Sequence, residues 1–176
     1  MQWSVSPLQV ATTFRRRYRH GGSLLVGVEG FIGSGKTKLA EALARQLSAT
    51  HIRTDDFVFL KGDRAHYGSR LRKYALIREL EGVLNDARTA VVDGICLRSV
   101  LGPWQHKVDK FIYVKRLSNS GQWHDEFHLE DFTTGPIPDY LRTEVRLSDF
   151  RYHERHRPHH RADLEVSWVE PLESVA

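Results

Sequence analysis

Cysteine is almost absent from this chain: Cys96 is the single one in 176 residues, so no disulfide can close within the chain and no cysteine-built zinc site can form. That scarcity fits a reducing, cytoplasmic setting. Long apolar runs are missing too. The longest, such as Leu24 to Val28, fall far short of the roughly 20 residues that span a bilayer, so no membrane association is expected. The opening residues, MQWSVSPLQV, lack the charged start and long apolar core of a signal peptide. Charge of one sign is not in excess. Lys and Arg number 26 against 22 Asp and Glu, a formal charge of +4, and this mildly basic field suits anionic small molecules about as well as nucleic acid. No repeat or low-complexity linker divides the chain. Trp3, Trp104, Trp123 and Trp168 are scattered and build no stacking platform for single strands. With 40% apolar residues there is material for one core, and residues 1–176 read as a single domain.

The patterns that are present alternate in type. Ser6-Pro7 marks a helix start, with Gly21-Gly22 as its end, so an amphipathic helix is expected over 7–19 within an N-terminal segment of residues 1–22. SLLVGVEG reads as a buried strand of the parallel type. After the glycines, Leu39, Ala40, Leu43, Ala44 and Leu47 recur at helical spacing. HIRT, residues 51 to 54, is a weaker strand. RLRKYALIRELEGVLND places Tyr74, Ile77, Leu80 and Leu84 on one helical face. TAVVDGI and KFIYVKR are further core strands, a polar lid-like region covers about 117–145, helical character returns in PDYLRTEVRLSDFRYHERH, and Ala162 to Val169 closes as a strand. Strands alternating with helices imply a parallel α/β sheet.

Gly30-Phe-Ile-Gly33-Ser34-Gly35-Lys36-Thr37 satisfies G-x-x-x-x-G-K-[ST] in full, between an expected strand and an expected helix, where the motif acquires its meaning. Glycines let backbone wrap closely around an anion, and successive N–H groups point at phosphate oxygens where a helix N-terminus adds partial positive charge. Lys36 is expected to reach the β and γ phosphates, and the Thr37 hydroxyl to bind Mg²⁺. A nucleotide is therefore the expected ligand.

Two acidic positions follow strands. Asp55 or Asp56 of RTDDFVF supplies a carboxylate suited to orient or deprotonate an attacking hydroxyl; the alternative is a turn or cap aspartate. Asp93 ends the TAVVDGI strand, a place from which P-loop proteins hold Mg²⁺ directly or through water.

GVEGFIGSGKTKLAEAL, TDDFVF, VVDGI and RADLEV resemble, in order and approximate spacing, the P-loop kinases related to uridine kinase, nicotinamide riboside kinase, pantothenate kinase and phosphoribulokinase, over most of residues 24 to 168. The resemblance implies a three-layer αβα domain with a five-stranded parallel sheet in the order 2-3-1-4-5, ATP and Mg²⁺ as cofactors, and transfer of the γ-phosphate to a hydroxyl of a nucleoside-like or other small metabolite. It implies Asp55, ahead of Asp56, as the base toward that hydroxyl, Asp93 in a metal or substrate role where the family often has Glu, and Arg161 with Ala162 and Asp163 beside the adenine.

One departure stands out. The family carries lid arginines in an R-L-x-R-R-like run after the fourth strand, and here that run is Arg116-Leu117-Ser118-Asn119-Ser120. Arg142 and Arg146, one helical turn apart, are the alternative clamp on the phosphates, or solvated helix charges. The other reading of the whole chain is an NTP-binding or NTP-hydrolysing regulatory protein, although no N-K-x-D guanine-reading motif occurs. His124-Asp-Glu-Phe-His128 departs from the zinc-binding H-E-x-x-H pattern and reads as polar lid. RYHERHRPHHR reads as a basic patch or a solvated helix end rather than a metal site. Arg15 to His20 reads as one charged helix face, so nucleic acid is disfavoured as a partner, and Cys96 reads as a packing residue.

Overall fold

In the computed structural model, residues 2–17, 23–59, 66–86, 88–135, 139 and 142–169 are described. The P-loop strand, β2 (Leu25–Glu29), is buried along its whole length, as is β4 (Ala90–Gly94). Their runs of small β-branched residues face both ways, which a strand does when helices cover both faces of its sheet. Leu25, Ala90, Val92 and Phe111 look to one side, onto a core shared with Leu76, Leu80, Leu97 and Tyr152. Val26, Val28, Val91, Ile112 and Val114 look to the other, onto Val10, Phe14, Leu39 and Leu43.

The helices supplying those layers are α1 (Pro7–Arg17) and α2 (Lys36–Leu47) on one face, and α3 (Lys73–Asn85), α4 (Leu97–Leu101) and α6 (Glu144–His156) on the other. A lid-side helix, α5 (Glu126–Thr134), precedes α6, and one turn, α7 (Pro158–Arg161), follows it. α1 opens with a reciprocal cap: the Ser6 hydroxyl accepts from Gln9 N–H and the Gln9 side-chain Oε1 accepts from Ser6 N–H. The expected extension of this helix to residue 19 and its Gly21-Gly22 stop lie outside the described residues.

β3 (Thr50–Arg53), β5 (Lys110–Leu117) and β6 (Leu164–Val169) complete a parallel array in the spatial order β3-β4-β2-β5-β6. Counted from the P-loop strand this is 2-3-1-4-5, so the chain has the P-loop NTPase fold. One strand was not anticipated. β1 (Gln2–Trp3) pairs antiparallel with β6, Trp3 opposite Trp168, making a six-stranded sheet; two residues are too few to show any period. The buried stripe of α3 is Leu76, Leu80 and Val83, with Tyr74 78% exposed. The expected Tyr74-Ile77-Leu80-Leu84 face is thus rotated, because the i, i+4, i+7 set beginning at Leu76 meets the sheet.

The register positions the chemistry. Val28 lies opposite Asp93 and Glu29 opposite Gly94, while Asp93 also faces Arg53. The P-loop, Asp93 and the Thr54-Asp55 turn therefore leave three adjacent strands at one sheet edge.

Candidate active site at the P-loop edge

Residues 30–35 wrap between β2 and α2 with Gly33 at φ 80° and Gly35 at φ 85°. Those left-handed angles suit glycine and turn successive amides toward a common centre. A side chain at Gly30 would meet Ser34 Oγ and the Val114 carbonyl at 2.6 Å, so the loop lies against β5 with no room to spare. Ser34 Oγ is buried and has no hydrogen-bond partner among the described residues. Lys36, nine-tenths buried, folds its Nζ back to the Phe31 carbonyl at 3.2 Å.

The loop is held from outside by groups that local sequence does not announce. Asp149 of α6 is 1% exposed, and its Oδ2 accepts the Ile32 N–H at 3.0 Å. His153, one turn on, stacks on the Phe31 ring at 3.5 Å between centroids and shares a hydrogen bond with Tyr113 Oη at 2.8 Å. Trp168 Nε1–H donates to the Ser34 carbonyl at 2.6 Å. Below the loop, buried Glu29 receives Arg98 Nε–H at 2.9 Å and Tyr152 Oη–H at 2.5 Å. Burial pushes the Glu29 carboxyl up, against the opposing pull of Arg98 and Tyr152, and burial likewise pushes the Tyr152 phenol up.

A cavity of about 590 Å³ opens over the loop, lined by Lys36, Thr37, Asp55, Tyr67 and Arg116 among others. At its floor the Thr37 hydroxyl donates to Asp93 Oδ2 at 2.7 Å, and the second Asp93 oxygen meets His51 Nε2 at 2.7 Å. A hydroxyl and a carboxylate converging at the end of a P-loop form a hard oxygen donor set that fits Mg²⁺. No group of three or more His, Cys, Asp or Glu among the described residues is arranged to hold a metal.

On the opposite wall, Tyr67 Oη–H donates to Asp55 Oδ1 at 2.5 Å and shares a second hydrogen bond with Thr54 Oγ1 at 2.8 Å. Desolvation, followed by the neighbouring Asp55 charge, pushes the Tyr67 phenol up, so it stays a donor. Asp56, the other member of the acidic pair, is exposed and does not line the cavity.

Of the residues singled out in the sequence, the fold thus gathers Gly33, Gly35, Lys36, Thr37 and Asp55 around one space, with Asp93 bonded to Thr37 beneath. Arg142 and Arg146 are not part of that lining. Arg142 Nη1 pairs with Asp139 at 2.9 Å, and Arg146 borders a separate small recess with Asp125 and Asp149. Arg116 does line it, with Nη2 within 2.9 Å of His124 Nε2. The missing second arginine hides it in the sequence, although its place at the end of the strand beside β2 is a signal. Arg161 also lies elsewhere, its carbonyl accepting from Arg98 Nη2 at 3.0 Å. Asp163 clips the start of β5, accepting from Lys110 Nζ at 2.5 Å and Phe111 N–H at 2.9 Å. Cys96 is buried, which pushes its thiol up.

Among the described residues no helix is long and apolar enough to cross a membrane. No protein-family model matches the chain, and no curated protein matches it. Solved structures do share its fold. A possible uridine kinase from Bacillus stearothermophilus superposes with a TM-score of 0.59 at 16% identity, covering 90% of this chain and 96% of that one. A candidate fructose transport system kinase from Silicibacter sp. TM1040 gives 0.55 at 15% identity, covering 94% and 100%. The likeness at such identities is one of fold, a P-loop kinase-like fold.

Proposed function

We propose that this protein is an ATP- and Mg²⁺-dependent phosphotransferase that moves the γ-phosphate to a hydroxyl of a small metabolite, nucleoside-like or otherwise, in a cytoplasmic setting. The observation that carries this reading is that Lys36, Thr37, Asp55 and Arg116 line one cavity, with Asp93 bonded to Thr37 beneath it.

In this reading the loop amides of Gly33, Ser34 and Gly35 cradle the β and γ phosphates, and Lys36 swings from the Phe31 carbonyl to meet them. Thr37 and Asp93 hold Mg²⁺, whose charge offsets that of the phosphates. Asp55, steadied by Tyr67, accepts the proton of the acceptor hydroxyl as its oxygen attacks phosphorus in line. Arg116 faces the transferring group from the β5 side and takes the part first sought in Arg142 and Arg146. Phosphoryl transfer of this kind is mostly positioning and charge stabilisation, which is what a rigidly braced loop supplies.

The test is substitution within the acidic pair. Asp55→Asn keeps shape and removes the proton acceptor, so turnover should fall roughly 10²- to 10⁴-fold with ATP affinity unchanged. Asp56→Asn should be nearly silent. A silent Asp55→Asn in a protein with a proven acceptor overturns the assignment. The remaining reading, an NTP-binding regulatory protein, is favoured only by the pairing of Arg142 with Asp139, and it predicts no acceptor-dependent ADP.

A further inference from the structure

A second recess, of about 300 Å³, lies on the far side of the Tyr67 turn from the phosphate cavity. Lys73 of α3 and Arg151 and Arg155 of α6 border it, with His66 and His156 beside them, and no carboxylate is among its lining residues. This is unusual for the chain as a whole, whose 26 basic and 22 acidic residues nearly balance. Arg151 is partly engaged, 3.8 Å from Glu144 Oε2 and 3.4 Å from His66 Nε2. Lys73 and Arg155 have no ion-pair partner among the described residues. Lys73 and Arg155 thus add positive charge to this wall with no acidic partner of their own, a charge that a bound anion offsets. Ser99 and Ser148 add hydroxyls to the same wall.

The recess is joined to the candidate active site through shared structure. Tyr67, whose Oη–H holds Asp55, faces the phosphate cavity, while its neighbours His66 and Gly68 face the recess. Ile95 and Cys96 divide between the two spaces in the same way, and α6 contributes Val145 to one and Ser148, Arg151 and Arg155 to the other. The Ser148 hydroxyl ties the partition together, bonding His66 Nδ1 at 2.8 Å and accepting from Tyr67 N–H at 3.3 Å.

We infer that this recess seats an anionic group, phosphoryl or carboxylate, carried by the phosphate acceptor, so that the substrate class is a hydroxylated metabolite that already bears an anion. The inference rests on the phosphotransfer reading above. With the anion held by Lys73 and Arg155, the acceptor has to reach Asp55 across the Tyr67 turn that divides the two spaces. A neutral nucleoside or sugar leaves Lys73 and Arg155 unmatched.

Two measurements test this. In the first, ADP formation is followed with matched acceptor pairs, each sugar or nucleoside with and without a phosphoryl or carboxylate group, for the wild type and the double variant Lys73→Ala/Arg155→Ala. Both side chains are exposed, so the fold should tolerate their loss, and the thermal midpoint checks it. The charged member of a pair should be preferred, and the double variant should raise its KM about 10- to 100-fold, the weight of a charge-assisted hydrogen bond or two, with kcat and ATP affinity little changed. The pair also tells phosphoryl from carboxylate. In the second, inorganic phosphate is titrated into the protein while the ring resonances of His66 and His156 are followed by NMR. They should shift in the wild type and not in the double variant, a readout independent of turnover and of phosphate bound at Lys36. Preference for neutral acceptors, or ring resonances that do not respond to phosphate, overturns the inference. Ring shifts with no acceptor-dependent ADP for any compound would instead overturn the phosphotransfer reading, and with it the acceptor assignment, leaving an anion site alone.

Discussion

Asp149→Ala removes the outer brace of the P-loop, and its cost can be worked from the contacts. The carboxylate is 1% exposed; it accepts the Ile32 N–H at 3.0 Å and lies 3.3 Å from His153 Nδ1. Alanine leaves that amide without an acceptor, at about 1–3 kcal/mol, while the imidazole keeps its 2.7 Å hydrogen bond to the residue 149 carbonyl. The cost is below the ~3–5 kcal/mol seen when a fully buried ion pair is broken. For a domain of this length each kcal/mol shifts Tm by about 2–4 °C, so Asp149→Ala should melt roughly 2–12 °C below wild type. Asp149→Asn retains an oxygen for the amide and should lose about 1 kcal/mol or less. Because Ile32 lines the phosphate cavity, ATP affinity should fall in the same order, alanine more than asparagine. Calorimetric melts and ATP titrations on both variants decide it. An alanine variant within about 0.5 kcal/mol of wild type, half the worth of one hydrogen bond, with ATP affinity unchanged, would refute the idea that α6 shapes the loop.

Two further predictions use other features. A Cβ at Gly94 would fall 2.0 Å from Thr54 Oγ1 and within 2.9 Å of Thr54 Cβ. Gly94→Ala should therefore cost about 1–3 kcal/mol in urea unfolding as an overpacked site, and lower turnover by displacing the Thr54–Tyr67–Asp55 chain; an unfolding midpoint equal to wild type would contradict the geometry. Burial, then the neighbouring His160 and His153, lowers the His159 pKa from 6.5 to about 4. The folded state thus holds His159 neutral where the unfolded chain binds a proton, so its stability contribution is whole above pH 6.5 and is lost as pH falls through about 4. His159→Gln should remove that part of the acid slope, and denaturant midpoints that stay a constant distance apart between neutral pH and pH 4 would count against it.

Much of the phosphate site was legible because its signals are contiguous. A P-loop declares itself in eight consecutive residues, and strands buried on both faces read as unbroken apolar runs, while the sheet order was an implication of the resemblance to P-loop kinases. Its braces were not legible. Asp149 meets Ile32 across 117 positions and Tyr152 meets Glu29 across 123, and no local period records such pairings. α6 was visible as a helix, but its buried side includes Ser148, Asp149 and His153, polar residues that ordinarily mark a solvent face. Their burial has meaning only beside the P-loop groups that satisfy them. The same holds for Tyr67, whose importance lies in where its hydroxyl reaches rather than in any motif around it.

The central claim is that Lys36, Thr37, Asp93 and Asp55 together transfer phosphate to a hydroxyl. The most direct measurement is ADP formation from ATP and Mg²⁺ across a panel of small hydroxyl compounds, neutral and anionic, in wild type beside Lys36→Ala. The account predicts ADP only when a suitable acceptor is present, stoichiometric with a phosphorylated product, and almost none from Lys36→Ala even though that variant remains folded. ADP released at the same rate without any acceptor, or none with every acceptor while ATP still binds, would contradict it.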